Sequence, residues 1–244
     1  MVFNHLKAPL EPCRPLLAAG VAPGAILWYY LDMEIELKYR IDSVEQYESI
    51  LADGWIAAHA ENEEPEIVRM KAAYYDTEDH ILIRHNIAFR IRCENERTVA
   101  TLKWSDDDDG ISGLYIRSEI NIPVSDQCCF FDPDPSIFKE SKEGQDLLDI
   151  IDGKPLANIF DMVFTRKRFR IDYEQSILEI ALDEGVIVIG DNNIQLRELE
   201  IEIYSGIKED LLAVGKKLAN KYRLEPELQT KFSRGVELIN KLNK

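Results

Sequence analysis

Glu34-Ile35-Glu36-Leu37-Lys38-Tyr39-Arg40-Ile41 alternates charged and apolar side chains without a break. Successive side chains of an extended strand point to opposite faces. Glu34, Glu36, Lys38 and Arg40 therefore share one face, and Ile35, Leu37, Tyr39 and Ile41 the other. The same alternation returns along the chain. Ile87, Phe89 and Ile91 oppose Arg90 and Arg92; Ala100, Leu102 and Trp104 oppose Thr101 and Lys103; Ile116, Ile120 and Ile122 oppose Arg117 and Glu119. Further on, Phe169 and Ile171 oppose Arg166, Arg168 and Arg170, and Leu178, Ile180 and Leu182 oppose Glu179 and Asp183. Leu199, Ile201 and Ile203 oppose Glu198, Glu200 and Glu202. With one more strand near residues 72–76, the pattern predicts about eight strands, mostly antiparallel.

Helices fill the gaps. Ser43 and Gln46 predict a capping box that opens a helix over 44–53, ended by Gly54. Asp134-Pro135 predicts a second helical region that reaches Ile151 with a break at Gly144. Two more helices are expected at the end of the chain, over about 208–222 and from Pro226 onward. Trp28, Trp55 and Trp104 read as packing residues.

The simplest reading makes each charged strand face a solvated one, as in most antiparallel sheets. Three features oppose it. The charged faces carry almost no Ser, Thr, Asn or Gln. Like charges sit two residues apart, side by side. The signs are sorted, with Arg90, Arg92, Arg166, Arg168 and Arg170 on some strands and Glu198, Glu200 and Glu202 on another. A solvated sheet loses energy by such sorting. Strands curled with their charged faces inward instead make one lumen, with a basic wall and an acidic cluster, and pack their apolar faces outward against helices. Crowded carboxylates need a hard cation such as Mg²⁺ or Mn²⁺. Converging Arg and Lys in an acidic protein need a polyanion, and guanidinium forks match phosphate oxygens. Together these point to polyphosphate chemistry.

The 244 residues hold 29 Lys and Arg against 45 Asp and Glu, a formal net charge of −16. The length suits one large domain or two small ones. An acidic surface repels nucleic-acid phosphates and anionic membranes, so neither is an expected partner. Cys128 and Cys129 are adjacent while Cys13 and Cys93 stand apart, which gives neither a disulfide framework nor a metal spacing and points to a reduced cytoplasm. The aspartate run at 106–109, followed by Gly110, lacks the alternating ligands of a calcium loop and reads as a loop between strands. Residues 16–31 are almost all apolar, near the short limit of a membrane span, but Pro23 and Gly24 interrupt them. A signal peptide flanked by Lys7 and Arg14 is the other option. The strand pattern begins abruptly afterwards, so Met33 is the expected natural start; residues 1–32 are assigned as a leader and 33–244 as the domain.

The same residues resemble a known family. Glu34-Ile35-Glu36-Leu37-Lys38 is similar to the ExExK signature of the CYTH superfamily, the triphosphate tunnel metalloenzymes. Tyr74-Tyr75-Asp76-Thr77 resembles its YFDT segment, Ile87 through Arg92 its ALRIR strand, and Thr101-Leu102-Lys103 its TLK strand. Glu179 to Gly185 and Glu198 to Glu202 resemble its later acidic strands. Gln229 through Gly235 resembles its C-terminal SK-x-x-RG segment, with Thr230 in place of Ser. The matches run in order from Met33 to the C-terminus.

The resemblance implies an α+β fold: an eight-stranded antiparallel β-barrel tunnel with flanking helices. It implies Mg²⁺ or Mn²⁺ held by Glu34, Glu36, Asp183, Glu200 and Glu202, with Glu36 and Lys38 as catalytic residues. Lys38, Arg90, Arg92, Lys103, Arg117, Arg168 and Lys231 would grip the phosphates. The substrates it implies are inorganic triphosphate, thiamine triphosphate and nucleoside triphosphates, with cyclisation of ATP as a further reaction. No dedicated aromatic clamp for a base or a thiamine is legible. The leading expectation is therefore a metal-dependent tripolyphosphatase that cleaves the terminal phosphoanhydride. Class IV adenylate cyclase and thiamine or nucleoside triphosphatase are the alternatives. A non-catalytic polyphosphate binder would not need so many carboxylates.

Overall fold

The computed structural model describes residues 30–105, 112–124 and 130–242. Most of the expected leader, Trp28, the aspartate run at 106–110, Cys13 and the Cys128-Cys129 pair lie outside the described residues. The strands are β1 (Tyr30–Arg40), β2 (Glu66–Thr77), β3 (Ile87–Glu94), β4 (Arg97–Ser105), β5 (Leu114–Val124), β6 (Leu156–Tyr173), β7 (Ser176–Ile189), β8 (Asn192–Ser205) and the short β9 (Glu225–Pro226). The helices are α1 (Val44–Leu51), α2 (Gly54–His59), α3 (Ile81–Arg84), α4 (Lys142–Ile151), α5 (Lys208–Tyr222) and α6 (Lys231–Leu242).

Every pairing is antiparallel, in the order β5-β4-β3-β2-β6-β7-β8-β1, and β5 returns to pair with β1. The expected eight-stranded barrel is closed, so it has no free edge along its main strands. β9 adds only a two-residue pairing on β1. β1 starts three residues ahead of Met33, with Tyr30 opposite Asn121 and Asp32 opposite Glu119.

Four local expectations are corrected. The first helix stops at Leu51, because Asp53 accepts hydrogen bonds from Trp55 N (2.7 Å) and Ile56 N (3.1 Å) and caps a separate α2 that begins at Gly54. Ser43 does cap α1, but the Gln46 side chain reaches Asp42 N (2.8 Å) rather than closing a reciprocal box. Gly144 is no break: it sits in the first turn of α4, where a Cβ would lie 1.9 Å from the Phe138 carbonyl. The break falls before Ser141, which caps α4 after a 3₁₀ turn over Pro135–Phe138. Pro226 lies in β9, and α6 starts only at Lys231.

Closure gives the alternation two destinations. On one flank, outward residues such as Leu37, Tyr39, Ile180, Leu199 and Ile201 pack with Ile50 of α1, Ile56 of α2 and Leu211, Val214 and Leu218 of α5. On another, Phe89, Ile91, Leu102 and Ile120 pack with Leu82 of α3, Phe138 and Leu147 of α4. Each such side chain contributes about 1.5–3 kcal/mol by leaving water. The inward face is not charged throughout, which sequence alternation alone did not anticipate. Val68, Met70, Ala72 and Tyr74 of β2, Phe160, Met162 and Phe164 of β6, and Ile187 and Leu196 of β7 and β8 form an apolar stopper with Phe232, Val236 and Ile239 of α6. Gly235 lets α6 lie on the Phe160 ring, where a Cβ would come within 2.5 Å. The stopper excludes water from one part of the lumen and strengthens the charge interactions beside it.

Candidate active site

Strand register brings the lumen charges together. Glu34 lies opposite Arg117 across β1–β5, and Lys38 opposite Glu200 across β1–β8. Arg166 lies opposite Asp183, which lies opposite Glu198; Glu202 lies between Glu36 and Glu179 on its two neighbouring strands. Two groups of carboxylates result.

The first group is Asp183, Glu198 and Glu200, with one oxygen from each within 4.8 Å of the others. Lys231, the first residue of α6, reaches Asp183 (2.8 Å), Glu200 (2.7 Å) and Glu198. Arg166 holds Asp183 through two nitrogens at 2.8 Å each and also contacts Glu200. Lys38 binds Glu200 and lies 3.1 Å from Glu36. Arg234 ties α6 to β8 through Glu198 (3.0 Å) and the Gln195 carbonyl (2.6 Å). Burial opposes charge on Glu200, but Lys231, Lys38 and Arg166 outweigh it and hold its carboxyl well below the usual range. Glu198 is fully buried, and burial pushes its pKa up despite Lys231. Burial likewise works against Lys231 and Lys38, yet Asp183, Glu198, Glu200 and Glu36 keep both ammonium groups charged, with pKa values raised. This group carries its own counterions.

The second group is Glu34, Glu36, Glu179 and Glu202. Arg117 contacts Glu34 (3.0 Å) and Glu36, Lys103 contacts Glu34 (2.9 Å) and Glu119 (2.5 Å), and Arg168 contacts Glu179 (3.2 Å). Burial opposes the charge of Glu34, but Lys103, Arg117 and Lys38 hold its carboxyl below the usual range. Glu202 has no cationic partner within ion-pair distance among the described residues. Burial, with repulsion from Glu34, Glu36 and Glu179, pushes its carboxyl well above the usual range. A carboxylate left in this state is stabilised by an added cation.

The cationic wall has the complementary excess. Arg90 has no carboxylate within ion-pair distance among the described residues; its Nη1 donates to the Tyr74 hydroxyl (3.2 Å), and its buried Nε has no acceptor. Beside it, burial and the neighbouring Arg90 charge lower the pKa of Arg92. An anion between them relieves both.

A cavity of about 350 Å³ opens on this wall. Of the residues expected in the site, Glu34, Lys38, Arg90, Arg92, Lys103, Arg117, Glu200 and Lys231 line it. Glu36 and Asp183 stand behind the lining, buried at 1% and 0% exposure. Glu202 is half-buried beside Glu36. Arg168 is placed away from the cavity wall, paired with Glu66 (2.9 Å) and Glu179. Arg166 lines the cavity in its stead. Alternation puts both arginines on one face; only the β6–β7 register distinguishes them, since Arg166 meets Asp183 and Arg168 meets Ala181. Glu198, Glu119 and Tyr74 also join the site, and the signal for Glu198 was available in its sorted face with Glu200. Trp104, expected as a packing residue, packs against the outer cluster and also lines the cavity. Phe232, Ile83, Asn86 and Asn240 line it as well and add aromatic and amide groups.

Among known proteins, the chain is 31% identical over 143 residues to the inorganic triphosphatase of Haemophilus influenzae, a match that covers 57% of this chain and 37% of that one. It thus spans well under half the length of that relative. Among solved structures, a Hippeastrum protein described as a candidate adenylyl cyclase with a dominant triphosphatase activity superposes with a TM-score of 0.61 at 21% identity, over 84% of this chain and 96% of that one. A candidate adenylate cyclase from Bacillus halodurans gives 0.51 at 20% identity, over 83% and 97%. These two share the fold. The family model of the CYTH domain matches residues 32–236, the stretch that builds the barrel and the first half of α6, and the chain belongs to the CYTH domain family.

Proposed function

We propose that this protein is a divalent-metal-dependent tripolyphosphatase that cleaves the terminal phosphoanhydride of inorganic triphosphate. One observation carries the reading: among the described residues, a single lumen leaves Arg90 without an anion and Glu202 without a cation. A polyphosphate bound with a divalent ion supplies both missing charges. The relative from Haemophilus influenzae supports the same substrate.

The residues fit a hard cation by chemistry, since the crowded second group offers carboxylate oxygens only. Glu34, Glu36 and Glu202 would hold Mg²⁺ or Mn²⁺, in preference to Asp183 and Glu200, whose charge Lys231, Arg166 and Lys38 already offset. Such an ion neutralises developing charge and lowers the pKa of bound water. Arg90, Arg92, Lys103, Arg117, Arg166 and Lys231 bind and orient the phosphate chain. Lys38 is kept protonated by Glu200 and Glu36, so it serves as a fixed positive charge for the transition state and not as a base. Asp183 positions Arg166 and Lys231. The functional unit is residues 33–244, acting in the cytoplasm; truncation at Met33 is expected to retain activity, and its loss would assign a role to the preceding segment.

Trp104 and Phe232 in the cavity lining favour a second reading, an organic triphosphate whose ring rests against one of them. Phosphate release from tripolyphosphate, ATP and thiamine triphosphate, assayed side by side with Mg²⁺ and Mn²⁺, separates the two. The first reading expects kcat/KM at least about tenfold higher for tripolyphosphate than for ATP, about 1.4 kcal/mol. Equal or better efficiency with an organic triphosphate, or formation of cyclic AMP, would replace it.

A further inference from the structure

Tyr115 faces the lumen from β5, opposite Glu36 of β1, while Leu114 and Ile116 on either side of it turn to the outer cluster. It is half-buried and stands beside two residues that line the cavity. The Arg117 guanidinium carbon lies 5.3 Å from the centre of its ring, and the Lys38 ammonium 5.7 Å from it. Both are cation–π distances. Tyr115 itself is not part of the lining.

A ring suits these two cations better than another acid would. Arg117 gives one nitrogen to Glu34 and Glu36, and its buried Nε has no acceptor among the described residues. Lys38 lies between Glu36 (3.1 Å) and Glu200. A further carboxylate would take more N–H groups and offset the charge that a phosphate chain needs. An aromatic face attracts a cation through its quadrupole and leaves the cation's charge in place. Lys38 and Arg117 are thus steadied without a new counterion.

The hydroxyl enters a different network. It donates to the Glu227 carbonyl at 2.9 Å. Glu227 N donates in turn to the Lys38 carbonyl (2.9 Å), and Lys38 N to the Gly113 carbonyl (2.8 Å). Gly113 has a φ of +78°, and a Cβ there would lie 2.9 Å from both the Lys38 carbonyl oxygen and Pro226, so β5, β1 and β9 need glycine to meet this closely. Burial raises the Tyr115 phenol pKa, which keeps the hydroxyl a donor at neutral pH. Shortly beyond Glu227 the chain reaches Lys231 and α6.

We infer that Tyr115 is a positioning residue: its ring holds the Lys38 ammonium and the Arg117 guanidinium in place for the bound polyphosphate, and its hydroxyl fastens the strap that leads from β9 into α6. The inference rests on the triphosphatase reading for the identity of the anion. The two halves of the side chain have separate tasks, the ring acting on rate and binding and the hydroxyl on stability.

The test compares full-chain variants in tripolyphosphate hydrolysis with Mg²⁺ or Mn²⁺, in calorimetric binding of tripolyphosphate in EDTA, and in thermal melting. Tyr115→Phe keeps the ring and removes the hydroxyl, whereas Tyr115→Leu removes both. Tyr115→Leu is expected to lower kcat/KM and affinity about tenfold. Tyr115→Phe should lose less than about threefold in either, while both variants melt about two to four degrees lower. A purely structural tyrosine would not separate rate from melting in this way. Tyr115→Met takes the place of Tyr115→Leu if the latter does not fold. A loss below threefold in the ringless variant, or an equal loss in Tyr115→Phe, overturns the inference. Hydrolysis by wild type alongside that result leaves the triphosphatase reading standing alone. Ring-dependent binding without hydrolysis of any triphosphate keeps the positioning role and removes the enzyme. Neither binding nor hydrolysis of tripolyphosphate by wild type overturns both.

Discussion

The two carboxylate groups of the lumen lie on neighbouring strand positions, yet they meet opposite electrostatic fates. Asp183, Glu198 and Glu200 are surrounded by Lys231, Arg166 and Lys38, each in direct contact. Glu202 sits between Glu36 and Glu179 and touches no cation among the described residues. Residue type does not separate them, since both are clusters of carboxylates, buried or half-buried. The difference is register. Shifting by two residues along β8 exchanges Lys38 and Ala181, the strand neighbours of Glu200, for Glu36 and Glu179, those of Glu202. A self-neutralised cluster holds structure together, whereas a cluster short of cations is prepared for a ligand.

The largest effect that would sharpen this contrast is on turnover. Glu36→Gln and Glu202→Gln should each lower metal-dependent kcat/KM by about a hundredfold or more, about 2.7 kcal/mol, with the fold intact by circular dichroism. Activity near wild type at limiting Mg²⁺ would remove the second group as the metal seat. The first group should respond in stability instead. Asp183→Asn leaves Arg166 and Lys231 less balanced in a buried setting, and denaturant unfolding should register a loss of about 3 kcal/mol. A neutral result there, with abolished metal affinity, would reverse the roles of the two groups.

Smaller effects follow from the unpaired charges. Arg90→Leu should weaken tripolyphosphate binding about tenfold or more, measured calorimetrically, because a charge-assisted hydrogen-bond donor is lost. Unchanged affinity would place the anion elsewhere. Glu202 gives the subtlest prediction, with a sign that few acid substitutions share. Its folded pKa lies above the unfolded value, so the fold prefers it protonated. Metal-free stability is therefore full below the ordinary carboxylate range and is lost as pH rises through that range toward the raised folded value. Glu202→Gln should raise the metal-free melting temperature by a few degrees at neutral pH and leave it unchanged in acid. A lower melting temperature at neutral pH would mean that Glu202 is paired.

How legible this was depended on what each residue's neighbours contribute. The barrel could be read from alternation because each strand carries its own inside-outside record, as in Glu34-Ile35-Glu36-Leu37-Lys38. Charge sorting placed the lumen and most of its wall. Register is a property of two strands, so Arg166 could not be told from Arg168 until Asp183 stood opposite one of them. The apolar stopper escaped for a related reason. Phe160, Met162 and Phe164 alternate like any core face, and only closure of the barrel turns that face inward beneath α6. Gly54 and Gly144 misled because glycine was read as a terminator, while Asp53 and Ser141 were the residues setting helix boundaries. Trp104 reads as a packing residue in the sequence, and it does pack; its placement against the cavity is a tertiary fact.

The most direct test of the central claim is a crystal structure of the protein with Mn²⁺ and tripolyphosphate, with manganese located by anomalous scattering. The prediction is a manganese peak bound by Glu34, Glu36 and Glu202, with phosphate oxygens within hydrogen-bond distance of Arg90. Manganese among Asp183, Glu198 and Glu200 in place of Lys231, or a polyphosphate bound outside the barrel, would contradict it.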